Sequence, residues 1–303
     1  MHESVILNRA LFAMMKDLQI LRATNAFGMT FKHFPKPYNN LYHAYELIMS
    51  DNINDKSSPQ TTHFGYQEVP KIEKSNLVAQ VFHSVAQKYD VMNDLMSLGL
   101  HRLWKQSLLA EANLHAGQIV LDVATGTGDL ALGFAKRVGK TGRVIMTDIN
   151  ESMLERGRDR LIDQGYLNID CIQADAEHLP FAENYFDCVT IAFGLRNVTD
   201  KTAALQNFYR VLKPGGKLLI LEFSRPTSTV LQKIYDVYSF KIIPSLGEFI
   251  TQNRDSYQYL VESIRMHPDQ EALKNMLLAA DFADVSYSNL SGGIVAIHKG
   301  YKY

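Results

Sequence analysis

The sequence predicts an α/β fold: a doubly wound, mostly parallel sheet with helices on both faces. Three observations predict it. Leu121–Leu130 (LDVATGTGDL) reads as a buried strand, a glycine turn and a helix start. Asp148 stands twenty positions after Gly128, at the end of a second apolar run. Apolar strand-like runs then alternate with helical periodicity as far as Phe223. This is the grammar of a nucleotide-type site at the carboxyl end of a parallel sheet.

The elements follow in order. Asn76–Leu109 is amphipathic, with Val78, Val81, Phe82, Val85 and Tyr89 recurring at helical spacing, broken at Gly99 and resumed over Arg102–Ala110. Gln118–Val123 is the first strand of the sheet. Leu130–Val138 is a helix stopped by Gly139. Arg143–Asp148 is a strand, Ser152–Gln164 a helix with Gly165 beyond it, and Asn168–Gln173 a strand. Asp187–Phe193 is almost wholly apolar, as a strand buried on both faces should be. Lys201–Leu212 is a helix, Lys213–Gly216 a turn, and Lys217–Phe223 the fifth strand. Thr229–Glu248 is aromatic-rich and helical with a break at Pro244, and Ser256–Ile264 and Pro268–Ala280 are further helices. Phe282–Asn289 and Gly292–His298 close the chain as a hairpin.

Bulk properties narrow the function. The 303 residues hold one α/β domain plus additions, and 46% apolar content is ordinary for a folded chain. A net charge of −1 argues against wrapping nucleic acid. The two cysteines, Cys171 and Cys188, lie in apolar runs, which favours buried thiols over a disulfide or a metal site. Residues 1–60 read as an extension and linker without catalytic role, with a polar stretch over Ser50–Gln60. They match no secretory signal, and with only Arg9 and Arg22 they make a poor transit peptide. A cytoplasmic location, peripheral to the inner membrane face, is expected over the mitochondrial matrix.

The glycine turn alone is ambiguous, since Gly126, Gly128 and Ala131 also fit the dinucleotide fingerprint. Asp122, four residues before Gly126, suits a cationic aminoacyl end better than a pyrophosphate. Asp148 suits a ribose, and Asp175 a purine amino group. With Lys213-Pro214-Gly215-Gly216-Lys217 leading into an apolar strand, these features resemble the class I methyltransferases that use S-adenosylmethionine (SAM). That resemblance implies a Rossmann-like, seven-stranded sheet whose last strand is antiparallel, with an N-terminal helical cap. The expected layout is cap helices over 73–110, sheet core over 117–224, a substrate or lid insertion over 225–280 and a closing hairpin over 282–303.

Two longer segments are more specific. Tyr89-Asp90-Val91-Met92-Asn93-Asp94-Leu95-Met96-Ser97 with His101 and Trp104, and Arg210–Gly216 through Leu221–Ser224, resemble the signatures of the ubiquinone/menaquinone biosynthesis C-methyltransferases, the UbiE family. The likeness runs from about Thr61 to Tyr303. It implies SAM-dependent methylation of a ring carbon of 2-methoxy-6-polyprenyl-1,4-benzoquinol and of demethylmenaquinol, with no metal. Thr127, Asp148, Asp175 and Ala176 carry over as SAM contacts, beside Asp122, Gly126 and Gly128 from the turn. Ala192 stands where relatives often carry a small hydroxyl residue.

On the acceptor side, Arg196 is expected to stabilise a phenolate, with Tyr89 and Asn197 orienting and Asp94 (or Asp90) taking a proton directly or through water. His101 and Trp104 are expected to pack. The segment around Tyr238 and Phe240, opposite Met92 and Met96, is expected to form an apolar tail channel touching the membrane. Other expected partners are a quinone-biosynthesis protein complex and a second copy of the chain; nucleic acid is not one. The competing readings are a SAM-binding, non-catalytic subunit of such a complex, a methyltransferase for another lipid or phenol and, more distantly, a nicotinamide dehydrogenase.

Overall fold

A computed structural model describes residues 61–85, 94, 97–166, 168–245 and 254–303. Tyr89, Asp90, Met92, Asn93, Met96 and the extension 1–60 lie outside the described residues.

A hairpin opens the described chain: β1 (Thr61–Phe64) and β2 (Gln67–Pro70) are antiparallel, and α1 (Lys71–Val85) follows directly. The hairpin has no counterpart among the sequence-based expectations. Its strands are short and largely polar, which leaves little periodicity to read. Helix α2 (His101–Ala112) then leads into a seven-stranded sheet. Its strands are β3 (Ile119–Val123), β4 (Arg143–Asp148), β5 (Ile169–Gln173), β6 (Phe186–Ala192), β7 (Leu212–Phe223), β8 (Ala283–Leu290) and β9 (Val295–Tyr301). The spatial order is β5-β4-β3-β6-β7-β9-β8. The first five strands are mutually parallel, and β9 runs antiparallel between β7 and β8. The expected Rossmann-like class I architecture is the one observed.

Helices α3 (Asp129–Val138), α4 (Glu151–Asp163) and α5 (Lys201–Val211) make the crossovers between strands. After β7 come α6 (Thr229–Val237), a π-helical turn (Tyr238–Ile242), α7 (Arg254–Met266) and α8 (Gln270–Ala279). Asn150 caps α4 by accepting from the Met153 amide, and Asp200 caps α5 by accepting from Ala203.

Alternate residues of the strands feed two cores. Val120, Val144 and Leu219 pack with Trp104, Leu108 and Phe134 on one face. Leu121, Ile145, Val189 and Leu218 pack with Leu205, Phe208 and Leu277 on the other. A strand slip of one residue would exchange the two sets, so both faces specify register. Phe134 and Phe208 are fully buried, and truncating either to alanine would cost about 3–5 kcal/mol.

The expected turn at Lys213–Gly216 is absorbed into β7, which begins at Leu212. Phe186 pairs with Leu212 and Cys188 with Lys217, so the turn is an irregularity within the strand. Gly215 takes φ 80° there and its amide bonds Lys302.

Candidate active site

The carboxyl ends of β3, β4, β5 and β6 converge, and reversal of strand order at β3 opens a crevice between β3 and β6. The loop after β3 runs over Ala124–Gly128, with left-handed φ at Ala124, Gly126 and Gly128. The loop after β6 passes it closely. A Cβ on Gly194 would stand 2.6 Å from the Ala124 Cβ, so glycine is needed there for space.

Asp122 lies at the foot of the crevice, 1% exposed. It faces Thr190 across the β3–β6 ladder. Its oxygens accept from the Thr190 hydroxyl at 2.7 Å and the Thr125 hydroxyl at 2.6 Å. Burial pushes its carboxyl up to about 6, against the pull of those hydroxyls and of Lys105. Asp148, at the end of β4, accepts from the amides of Gly126 and Asn150, both at 2.9 Å, and thereby ties the glycine loop to its own strand end. Asp175, just past β5, accepts from the Glu177 amide at 2.9 Å, with Ala176 buried beside it. Each of the three carboxylates thus accepts a bond from its own loop, and Asp122 and Asp148 accept a further one from a neighbouring element.

A pocket over this floor takes Asp122, Thr125 and Thr127 on one side and Ala192 and Phe193 on another. Its remaining wall comes from α2, through His101 and Lys105. His101 was expected to pack and does, at 6% exposed, yet its ring also lines the pocket. Nε2 lies 2.9 Å from Asp94 Oδ1. A carboxylate only accepts, so Nε2 carries the proton and Nδ1 is left as a buried acceptor without a donor among the described residues. Asp94 also takes Arg102, whose hydrogen bond holds its carboxyl below the ordinary range. A carboxylate held this way is a poor proton acceptor. Asp94 serves better as the group that orients His101.

The acceptor side is built differently. Arg196 and Asn197 sit in a single 3-10 turn (Leu195–Asn197) beyond Phe193. Arg196 is not a lone cation. Its Nη1 donates to Glu222 Oε1 at 2.8 Å and to the Phe193 carbonyl at 2.6 Å, and its amide donates to Glu222 Oε2 at 3.2 Å. Both side chains are buried, at 5% and 1% exposure. The guanidinium stands 5.5 Å over the Phe223 ring. Phe193, Trp104 and Phe223 pack together at 5.0–6.1 Å between centroids. Asn197 Oδ1 accepts from the Tyr259 hydroxyl at 3.1 Å, and Tyr259 stacks on Phe64 of the hairpin at 4.1 Å.

Sequence reasoning missed Glu222, Tyr259 and Lys105 as contributors. Glu222 had a readable signal, being an acid at the end of an otherwise apolar strand. Lys105 had one too, four residues after His101 on the same helix face. Tyr259 had none, since its partner is 62 residues away.

A family model described as the ubiE/COQ5 methyltransferase family matches residues 70–302. The chain belongs to that family. A protein of Edwardsiella ictaluri named ubiquinone/menaquinone biosynthesis C-methyltransferase UbiE is 60% identical over 247 residues, 81% of this chain and 98% of that one. One of Pseudomonas putida with the same name is 57% identical over 255 residues, 84% of this chain and 100% of that one. Among solved structures, a Haemonchus contortus phosphoethanolamine N-methyltransferase in complex with S-adenosylmethionine superposes with a TM-score of 0.50 at 17% identity, covering 65% of this chain and 52% of that one. That likeness shows the fold. The pocket fits the methyl donor on its own features: an anion at Asp122 whose hydrogen-bond partners among the described residues are two neutral hydroxyls, an acceptor at His101 Nδ1 without a donor among those residues, and a close glycine loop.

Proposed function

We propose that this chain transfers a methyl group from S-adenosylmethionine to a ring carbon of a polyprenyl hydroquinone, with 2-methoxy-6-polyprenyl-1,4-benzoquinol and demethylmenaquinol as acceptors. The names of the relatives support this choice of acceptors. The carrying observation is Phe193. It lines the polar pocket, packs into the Trp104–Phe223 aromatic cluster, and leads directly into Arg196 and Asn197. A ring seated against that cluster would lie beside both the donor pocket and the guanidinium.

The donor, when bound, supplies an electrophilic methyl on a sulfonium. Asp122 and His101 Nδ1 would accept from its ammonium, Asp148 would face the ribose, and Asp175 with Ala176 would border the adenine. Gly126, Thr127 and Gly128 would allow close approach of the backbone. Arg196 would offset the negative charge that develops on the hydroquinone oxygen as its proton passes to water, and Glu222 would hold the guanidinium in place. The ring carbon would take the methyl while the sulfur leaves as a neutral thioether, and loss of the ring proton to water would restore the hydroquinone. Asn197, itself held by Tyr259, would orient the ring. Tyr89 belongs to the same reading through the family signature. Catalysis rests on alignment and exclusion of water, as an in-line displacement requires.

An apolar stripe supports contact with the membrane that dissolves such acceptors. Val230, Ile234 and Val237 on α6, with Phe240 beyond it, are exposed at spacings of four and three. Tyr66 stacks on Phe240 at 6.4 Å and extends the patch. Tyr235 and Ile243, from the same stretch, turn inward and are buried. Among the described residues no helix is long and apolar enough to cross a membrane. On this reading the patch makes a peripheral contact with the inner face of the cytoplasmic membrane, and Ile234→Asp with Val237→Asp should reduce co-sedimentation with lipid vesicles.

The test is methyl transfer with labelled donor, using both acceptors in reduced and oxidised form. Transfer to the reduced forms alone supports the reading, because the quinone lacks the nucleophilic carbon. Binding of the donor without transfer to either acceptor would favour a non-catalytic subunit.

A further inference from the structure

The pocket wall on α2 carries a charge arrangement that the acceptor chemistry does not use. Lys105 Nζ lies 2.8 Å from Asp129 Oδ2, and Arg160 Nη2 lies 2.6 Å from Asp129 Oδ1. Asp129 therefore gives one oxygen to each of two cations. Burial would raise its carboxyl, but Lys105 and Arg160 outweigh it and bring it down to about 2. The Lys105–Asp129–Arg160 cluster, of which Lys105 and Asp129 line the pocket, carries two positive charges against one negative. Across the pocket, the partners of Asp122 among the described residues are two hydroxyls. The pocket is thus anionic at its floor and has a surplus cation on its wall, and both line one space.

Such a space matches a zwitterion. An ammonium would seat on Asp122, and a carboxylate would meet the surplus cation. Lys105 is the cation placed to do so. It lines the pocket, whereas Arg160 is not among the residues that do. Its ammonium has three donors, and Asp129 occupies one of them. Arg160 would keep Asp129 neutralised while Lys105 engages a ligand. The first turn of α3, which begins at Asp129, adds backbone N–H groups to the same corner.

We propose that Lys105 reads the α-carboxylate of the methyl donor's aminoacyl end, with the Arg160–Asp129 pair positioning the Lys105 side chain. This rests on the reading above that S-adenosylmethionine is the donor. It adds a residue selecting for a carboxylate-bearing nucleoside sulfonium over one that lacks the carboxylate.

Calorimetric binding of S-adenosylmethionine and of its decarboxylated analogue to the full chain tests this without any acceptor. The wild-type protein should bind the parent about 10–100-fold more tightly than the analogue. Lys105→Met should weaken the parent by a similar factor and change the analogue less than about twofold, while Lys105→Arg keeps most of the discrimination. Equal affinities in the wild type, or equal weakening of both ligands by Lys105→Met, would overturn the proposal. The wild-type comparison stands even if a variant fails to fold. If the wild type binds neither ligand, the donor reading itself fails and takes this proposal with it; if it binds both alike, only the role of Lys105 fails.

Discussion

The donor end and the acceptor end of the site share one crevice but are held together by different kinds of contact. At the donor end, every carboxylate has a partner close in sequence: Thr125 with Asp122, Asn150 with Asp148, Glu177 with Asp175, to which the fold adds Thr190 on Asp122 and Gly126 on Asp148. Each loop supplies at least one bond to its own carboxylate at a strand end. At the acceptor end, the partners are remote: Arg196 with Glu222 across 26 residues and Asn197 with Tyr259 across 62. A short motif can specify the first kind of site, whereas the second exists only once the sheet, hairpin and α7 are assembled. Perturbing the acceptor end should therefore damage the fold, and perturbing the donor end should mainly damage binding.

The sharpest way to break this comparison is Glu222→Ala. It leaves the Arg196 guanidinium buried without its carboxylate, and we expect a loss of roughly 3–5 kcal/mol in urea unfolding. A change below about 1 kcal/mol would mean that the pair is not structural. Next in size is Asp122→Asn. It removes the anion under the donor's ammonium while keeping two acceptor-capable neighbours in place, and binding of S-adenosylmethionine should weaken about 10–100-fold with folding preserved.

The pH dependence sharpens the same point. The Asp122 carboxyl is raised to about 6 in the folded state, from an ordinary value of 3.8. The native state then holds its proton more tightly than the unfolded chain. The stability this group contributes is full below 3.8 and is lost as pH rises through about 6. Binding runs the other way: the ammonium needs the ionised form, so donor affinity should fall below pH 6, with proton release on binding near that pH. Asp122→Asn should flatten both profiles. Asp129, lowered to about 2, has the opposite sign, and its stabilising contribution is lost only as pH falls through that value.

The smallest expected effect is Tyr259→Phe. It deletes one 3.1 Å hydrogen bond to Asn197 and keeps the stacking on Phe64. Transfer should slow by up to about tenfold, with donor affinity unchanged.

The same division explains what could be read from the sequence. The strand–glycine–helix pattern, the acids at 122, 148 and 175 and the alternation of β3 to β7 were legible because local geometry dictates them. The closing hairpin was legible through Ser291-Gly292-Gly293. The β1–β2 hairpin was not, because its four-residue strands are stabilised by α7 rather than by their own pattern. Arg196 could be placed at the site by its position after β6. Its burial against Glu222 could not, since the pairing of β6 with β7 brings the two together only in the fold. Asp94 could be read as a candidate base, but His101 and Arg102, seven and eight residues ahead at the start of α2, both bond it, which favours a positioning role.

The most direct test of the central claim is transfer from S-adenosylmethionine carrying a 13C methyl to a short-chain reduced benzoquinol, followed by NMR of the product. The account predicts one labelled methyl bonded to a ring carbon, with the signal abolished when the acceptor is kept oxidised. A labelled methyl on a phenolic oxygen, or labelling that persists with the oxidised acceptor, would contradict it.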